Sequence, residues 1–289
     1  MLANHEIYVF DKFDEYSWDT YSQSYGLYPS GEPFIKLEEE DRVPDAILLR
    51  PKDMTAFMAG LFWVDAMAER EEPIPTLILP FVLGSRQDRL NPTGDYLFTA
   101  KSIAKLINDR NFPRVIILDP HSDVIAGMID RCQVVHTDQI FTPDPRVTYA
   151  GVICPDAGAE KRASKIATLL GVPLFHGRKT RDVRTGELTG FSCDGLEYGH
   201  NKHFLVVDDI CDGGGTFVGL INYIHDFIDV DATFDLFVTH GIFSKGYDVL
   251  SNFTRIITTD SVISNPSGRR PSNFRVIPVC ETLLENCHA

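Results

Sequence analysis

Two adjacent carboxylates stand just before a glycine run, in the stretch Phe204-Leu-Val-Val-Asp-Asp-Ile-Cys-Asp-Gly-Gly-Gly-Thr-Phe217. Asp208 and Asp209 are expected at the end of an apolar strand, where both can face a ligand. Neighbouring carboxylates suit the vicinal hydroxyls of a ribose, directly or through a divalent metal. Gly213, Gly214 and Gly215 let the backbone turn tightly and bring its N–H groups close to an anion. Apolar residues then recur at helical spacing: Phe217, Leu220, Ile221, Ile224, Phe227 and Ile228. The start of that helix adds partial positive charge, which suits a phosphate. Asp212 and Thr216 flank the loop and can contact sugar or phosphate. An ordinary strand-to-helix turn would explain the glycines but not the acidic pair. The stretch predicts a site for a phosphorylated pentose.

Strands alternating with helices must position these residues. Short apolar runs predict strands at 6–10, 46–49, 76–81, 114–118, 149–154, 172–175, 234–238, 255–258 and 275–279. Helical patterns fall at 55–70, with Phe57, Leu61, Phe62 and Met67 on one face, and at 99–111 and 159–170. The class is therefore α/β with mostly parallel sheets. In such sheets ligands bind beyond the carboxyl ends of strands. The polar motifs Arg86-Gln-Asp88, His121, Asp156, Asp208-Asp209 and His240 all fall at predicted strand ends. The pattern restarts after 136–148, which suggests two domains, 1–140 and 141–289, with the last strand and tail a candidate to pack on the first. Residues 177–202 have little periodicity and read as a lid or a hairpin arm.

Composition narrows the function. The chain has 289 residues and a formal charge of -14, from 41 acidic and 27 basic residues. That balance argues against a nucleic-acid surface, which needs a basic footprint. The 6 cysteines are spread out with no CxxC pair, as expected of reduced thiols in a cytoplasmic protein. Cys211 has no sequence neighbour for redox chemistry. No signal peptide or membrane-spanning run is visible. His176, His200 and His203 read as surface or loop residues, and His240 as structural.

Val206-Val-Asp-Asp-Ile-Cys-Asp-Gly-Gly-Gly-Thr216 resembles the phosphoribosyl-binding signature shared by type I phosphoribosyltransferases and phosphoribosyl diphosphate (PRPP) synthetases. Other motifs separate the two. Pro80-Phe-Val-Leu-Gly-Ser-Arg-Gln-Asp-Arg89 resembles the ATP-binding segment of PRPP synthetases, and Tyr28-Pro-Ser-Gly-Glu32 their adenine loop. Asp119-Pro-His121, Cys154-Pro-Asp-Ala-Gly158 and Thr239-His-Gly-Ile-Phe-Ser244 resemble further family motifs, all in the family's order. The resemblance implies two tandem phosphoribosyltransferase-like domains. It implies ATP binding by Tyr28, Glu32, Arg86, Gln87, Asp88 and Lys101, and Mg²⁺ held by His121 and Asp156. Asp208, Asp209, Asp212, Gly213, Gly214, Gly215 and Thr216 would bind the ribose phosphate. Lys179 and Arg181 correspond to the family's flexible catalytic loop. A homo-oligomer, dimer or hexamer, is implied because the adenine loop there serves a neighbouring subunit.

The implied reaction moves the β,γ-diphosphoryl group of ATP onto the anomeric hydroxyl of a ribose 5-phosphate unit. One departure bears on the acceptor. The family has threonine where this loop has Gly213, which predicts a roomier phosphate cradle. Ribose 5-phosphate is thus weighed against ADP-ribose, as in NAD restoration by phage-type relatives. A catalytically inert regulatory subunit is the third possibility.

Overall fold

The computed structural model describes residues 7–10, 18–19, 25–36, 44–90, 97–181, 188–196, 202–227, 232–262 and 270–285. The chain divides into two compact units. One is Met1–Val135 with Ser261–Ile263 and the carboxy-terminal Pro278–Ala289; the other is His136–Asp260 with Ser264–Ile277. Among the described residues no helix is long and apolar enough to cross a membrane.

In the first unit, β1 (Ile7–Phe10), β2 (Trp18–Asp19), β5 (Ala46–Leu49), β6 (Thr76–Leu79), β7 (Val115–Leu118) and β8 (Cys132–Val135) form one sheet. Its order is β2-β1-β5-β6-β7-β8. β3 (Tyr25–Leu27) and β4 (Pro33–Ile35) form a separate hairpin. β5 to β8 are parallel, while β1 is antiparallel to β2 and β5. β5 and β7 are buried at every residue, as expected of apolar runs covered by helices on both faces. The crossovers are α1 (Met54–Glu69), α2 (Thr99–Asn108) and α3 (Asp123–Met128). Asp53 caps α1 by accepting the Ala56 amide at 2.9 Å. Phe57, Leu61 and Met67 of α1 are buried as predicted, but Phe62 is 37% exposed. A one-residue step turns a helix by about 100°, so Phe62 cannot share the face of Leu61, and Trp63 and Val64 fill the core instead. α2 stops at Asn108, short of the expected 111. Asn108 turns its side chain to the Met128 carbonyl and the Asp130 amide, each at 2.9 Å, and Asn111 is left-handed. α3 and β8, which have weak apolar runs, are not predicted from sequence.

The second unit begins with α4 (Thr137–Ile140), β9 (Gly151–Cys154) and α5 (Glu160–Leu170). β10 (Leu174–Arg181), β11 (Leu188–Asp194), β12 (Lys202–Cys211) and α6 (Gly215–Phe227) follow. β13 (Ala232–Gly241), β14 (Arg255–Thr259) and β15 (Phe274–Ile277) complete the sheet, and α7 (Cys280–Glu285), which belongs to the first unit, closes the described chain. The sheet order is β11-β10-β9-β12-β13-β14-β15, parallel except for the β10–β11 hairpin. Residues 177–202 thus include a hairpin arm. β10 continues through Lys179 and Arg181, which sequence alone places in an unpatterned loop.

Candidate active site

Strand order reverses beside β9: β10 lies on one side of it and β12 on the other. A ligand crevice forms outside the carboxyl ends of strands at such a reversal. Asp156 stands just beyond β9, and Asp208 and Asp209 lie near the end of β12. β12 does not fray before the two aspartates. Its pairing with β13 continues to Cys211 opposite Gly241, so the pair is held rather than loose.

Arg162 of α5 is the counter-charge. Its Nη1 lies 3.5 Å from an oxygen of Asp208 and 3.5 Å from one of Asp209, and it donates to the Gly158 carbonyl at 3.2 Å. Asp208 Oδ1 also accepts the Asp209 amide at 2.8 Å. One guanidinium therefore faces two carboxylates in a nearly closed setting. Burial, then the neighbouring Asp209 charge, push the Asp208 carboxyl well above the usual carboxylate range, against the pull of Arg162. The cluster is short of positive charge, which a sugar's hydroxyls or a cation would relieve.

Asp156 caps the turn into α5. Its Oδ1 accepts the Gly158 and Ala159 amides at 2.9 and 3.3 Å, and its Oδ2 pairs with Lys179 Nζ at 2.7 Å. Lys179 thus reaches from β10 to the end of β9. A cavity of 470 Å³ opens here, lined by Cys154, Asp156, Glu160, His176 and Arg178 among others. His176 is a strand residue on this cavity rather than a loop residue. His203 is likewise not loose: it begins β12, stacks on Tyr149 at 5.2 Å and approaches Asp235 at 3.1 Å. His200 lies outside the described residues, and His240 is buried on β13. Burial pushes the Cys154 and Cys211 thiols up to about 12, so neither supplies a thiolate.

The glycine loop follows β12. Gly214 has φ +75, a conformation that other residues adopt at a cost, and α6 starts at the next residue. The Phe217 amide closes the first turn on the Gly214 carbonyl at 3.1 Å. Asp212 is engaged by Ser244, whose hydroxyl donates to its Oδ1 at 2.5 Å. The roomier cradle expected at Gly213 is not found. A β-carbon there would meet Lys245 Cε at 3.3 Å, because the lysine stem lies in the space a threonine would take.

The residues expected to bind ATP lie in the first unit. Arg86, Gln87 and Asp88 form the loop after β6. Gln87 is fixed to the start of α2, through its side chain to Thr99 and its carbonyl to the Ala100 amide at 3.1 Å. Arg86 and Lys101 are exposed. Asp88 is buried and pairs with Arg89 at 2.8 Å. Hydrogen bonding to Arg89, foremost, and also to Ser122 holds its carboxyl down to about 2. Asp88 therefore ties the loop to the turn that carries His121 instead of facing solvent. Tyr28 is 55% exposed at the tip of the β3–β4 hairpin, packed on Phe34, and Glu32 accepts the Ser30 hydroxyl at 2.9 Å.

Among the described residues no three His, Cys, Asp or Glu side chains are grouped as a closed metal site. Magnesium does not need one, since it keeps several waters and takes one or two carboxylates besides substrate phosphates. The hard oxygens of Asp156, beside the charge-deficient Asp208–Asp209 pair, fit that ion.

A family model described as a phosphoribosyl transferase domain matches residues 148–227, which hold Asp156, Lys179, the aspartate pair and the glycine loop. A ribose-phosphate pyrophosphokinase of Bradyrhizobium diazoefficiens is 28% identical over 271 residues, covering 88% of this chain and 82% of its own. One from Mycobacterium tuberculosis is 30% identical over 245 residues, covering 77% and 70%. The chain belongs to the ribose-phosphate pyrophosphokinase family. It is a transferase of that type. The crystal structure of phosphoribosylpyrophosphate synthetase from Mycobacterium smegmatis matches with a TM-score of 0.79 at 26% identity, over 92% of this chain and 88% of that one. The fold is accordingly α/β, with tandem phosphoribosyltransferase-like domains. Against this family background, Arg162 and Lys245 are the site residues that sequence reasoning misses. Arg162 looks like any helix-surface arginine, and Lys245 falls one residue past the last motif quoted.

Proposed function

We propose that the chain transfers the β,γ-diphosphoryl group of ATP to the anomeric hydroxyl of ribose 5-phosphate, giving the 1-diphosphate and AMP. The observation that carries this reading is the convergence in one unit of the Asp208–Asp209 pair, the glycine loop and the Lys179–Asp156 pair. The anomeric oxygen bonds to the β-phosphorus. The bond from that phosphorus to the oxygen bridging the α-phosphate breaks, and AMP leaves with that oxygen and its electron pair. The hydroxyl proton is lost to water. Little covalent chemistry falls to the protein, so positioning and charge compensation do most of the catalysis.

Asp208 and Asp209 are assigned to the sugar's vicinal hydroxyls, and their buried setting makes those hydrogen bonds strong. Asp212, Thr216 and the backbone of Gly213, Gly214 and Gly215 hold the acceptor phosphate at the start of α6. Lys179, released from Asp156, and Arg181 offset charge on the transferring group. Tyr28, Glu32, Arg86, Gln87 and Lys101 are assigned to ATP, with Asp88 holding their loop in place. Asp156 and His121 are each assigned to magnesium, which when bound neutralises phosphate charge. The exposed Tyr28 hairpin suits a contact with a second copy of the chain, in a homo-oligomer.

A second reading keeps the chemistry and enlarges the acceptor to ADP-ribose. It is favoured by what stands over Gly213: a flexible lysine stem, which can move aside, in place of a fixed threonine. Incubation with Mg-ATP and each acceptor, following AMP, tests both. AMP release that depends on ribose 5-phosphate supports the first reading. AMP from ADP-ribose alone replaces it with the second. No AMP with either leaves an inert subunit. In the active case Lys179→Ala lowers turnover by about 100-fold or more; near-normal turnover would remove Lys179 from the mechanism.

A further inference from the structure

Beyond β13 the chain doubles back over the glycine loop as a strap, residues 242–247. The Ile242 and Phe243 amides donate to the Cys211 carbonyl at 2.9 and 3.0 Å, and the Ser244 amide to the Asp212 carbonyl at 3.1 Å. The Ser244 hydroxyl adds its bond to the Asp212 carboxylate. Phe243 takes a left-handed backbone, φ 51, while its ring is buried against Tyr247 and Phe274. A non-glycine residue keeps such a conformation only when its surroundings over-determine it. The strap is therefore pinned on both sides of Lys245.

The pinning fixes where the lysine goes. Lys245 Cε, Cδ and Cγ lie 3.3, 3.4 and 3.6 Å from where a β-carbon on residue 213 would stand. The stem runs across the loop, and the ammonium is one bond further on. Lys245 is exposed, and among the described residues no carboxylate engages it. A cation that no carboxylate among the described residues engages thus reaches the glycine loop at the start of a 13-residue helix. Each of these features attracts an anion, one from the loop and one from the strap.

We propose that Lys245 binds the acceptor's phosphate, supplying from the strap the contact that the loop lacks at Gly213. The inference rests on the acceptor-binding role proposed above for the glycine loop. Space couples the two positions, since a threonine at 213 and an extended lysine at 245 compete for the same volume. The ammonium is a mobile point charge, so it can follow a phosphate whose position varies with the size of the acceptor.

The test is direct binding of ribose 5-phosphate and of ADP-ribose without ATP, together with the KM of the acceptor that gives AMP. Lys245→Met keeps the stem and removes the charge. It is expected to weaken acceptor binding about 10- to 100-fold, to raise acceptor KM in step, and to leave the KM for ATP unchanged. Lys245→Arg restores most of the affinity. Acceptor affinity falls less steeply with salt in Lys245→Met than in the parent chain. Gly213→Thr alone weakens binding by crowding Lys245, and Gly213→Thr with Lys245→Gly regains it. Acceptor binding by Lys245→Met equal to that of the parent overturns the assignment. A parent chain that binds neither acceptor overturns the role of the loop itself, a different and recognisable result.

Discussion

Asp208 and Asp209 show how a site can be costly to the molecule that carries it. Two carboxylates share one buried guanidinium, and the Asp208 carboxyl is held well above its ordinary range by burial and by its neighbour. A carboxyl whose folded pKa is raised holds its proton more tightly when folded. The chain therefore loses stability as pH rises from the unfolded value of about 3.9 through the folded one. Asp208→Asn keeps the shape and the acceptor oxygen but removes the charge. Chemical denaturation at several pH values should show the variant more stable than the parent by about 1 kcal/mol at neutral pH, with the gain vanishing below about pH 4. Turnover should fall by at least 100-fold in the same variant. Equal or lower stability at neutral pH would show that Arg162 compensates both charges. The acidic pair is legible in sequence because two adjacent carboxylates at a strand's end need either solvent or a ligand. Arg162 is not, because only the packing of α5 on the β9 and β12 ends brings it there. The space at Gly213 is misjudged for a similar reason: its occupant, Lys245, comes from 32 positions downstream, the same separation as in the Ser244–Asp212 bond of that strap.

Helix α6 touches both parts of the proposed chemistry. Its start carries the turn assigned to the acceptor phosphate, and its face receives the β10–β11 hairpin. A β-carbon on Gly219 of α6 would fall 2.2 Å from the Phe191 ring, so the ring lies directly on the helix backbone. Phe191 is the cross-strand partner of Lys179. The seat of Phe191 thus sets the height of Lys179 relative to the glycine loop. Gly219→Leu should lift the hairpin and lower kcat by about 10- to 100-fold, while acceptor binding measured without ATP stays at the parent value. Unchanged kcat would mean that the hairpin finds its position by other contacts. The hairpin is only half legible in sequence. Its length and polarity suggest an arm or a lid, but Lys179 and Arg181 fall in a charged run with no alternation of apolar residues, so the strand is invisible until its partner is known. The buried parallel strands are the opposite case. Runs such as Ala46-Ile-Leu-Leu49 need no partner to be recognised, because burial on both faces leaves only apolar positions.

Each unit has its own apolar core, and the second also has a polar one at the end of its sheet away from the aspartate pair. Asp235 of β13 is fully buried and gathers Tyr149 at 2.7 Å, Arg255 at 3.0 Å and His203 at 3.1 Å, while Asp144 takes a second arm of Arg255 at 3.0 Å. Burial, then the Asp235 carboxylate, keep the Tyr149 hydroxyl protonated far above its ordinary range. Asp235→Ala should cost about 3 kcal/mol in denaturant unfolding, by leaving the Nε arm of Arg255 and the tyrosine hydroxyl without their acceptor. The folded fraction should keep its turnover, and a loss below 1 kcal/mol would show that water replaces the carboxylate. None of this network announces itself in sequence, because its members are scattered single polar residues. The restart of the strand–helix pattern after the first half is legible, since it depends only on period. Arg255 and Asp144, 111 positions apart, meet only once the parallel strands are in register. Closing a loop of that size costs entropy before the contact rewards it, so the bonds around Asp235 are expected to form late in folding. Removing them should leave the refolding rate nearly unchanged and speed unfolding, which makes Asp235 a determinant of how long the assembled sheet survives and not of how fast it is made.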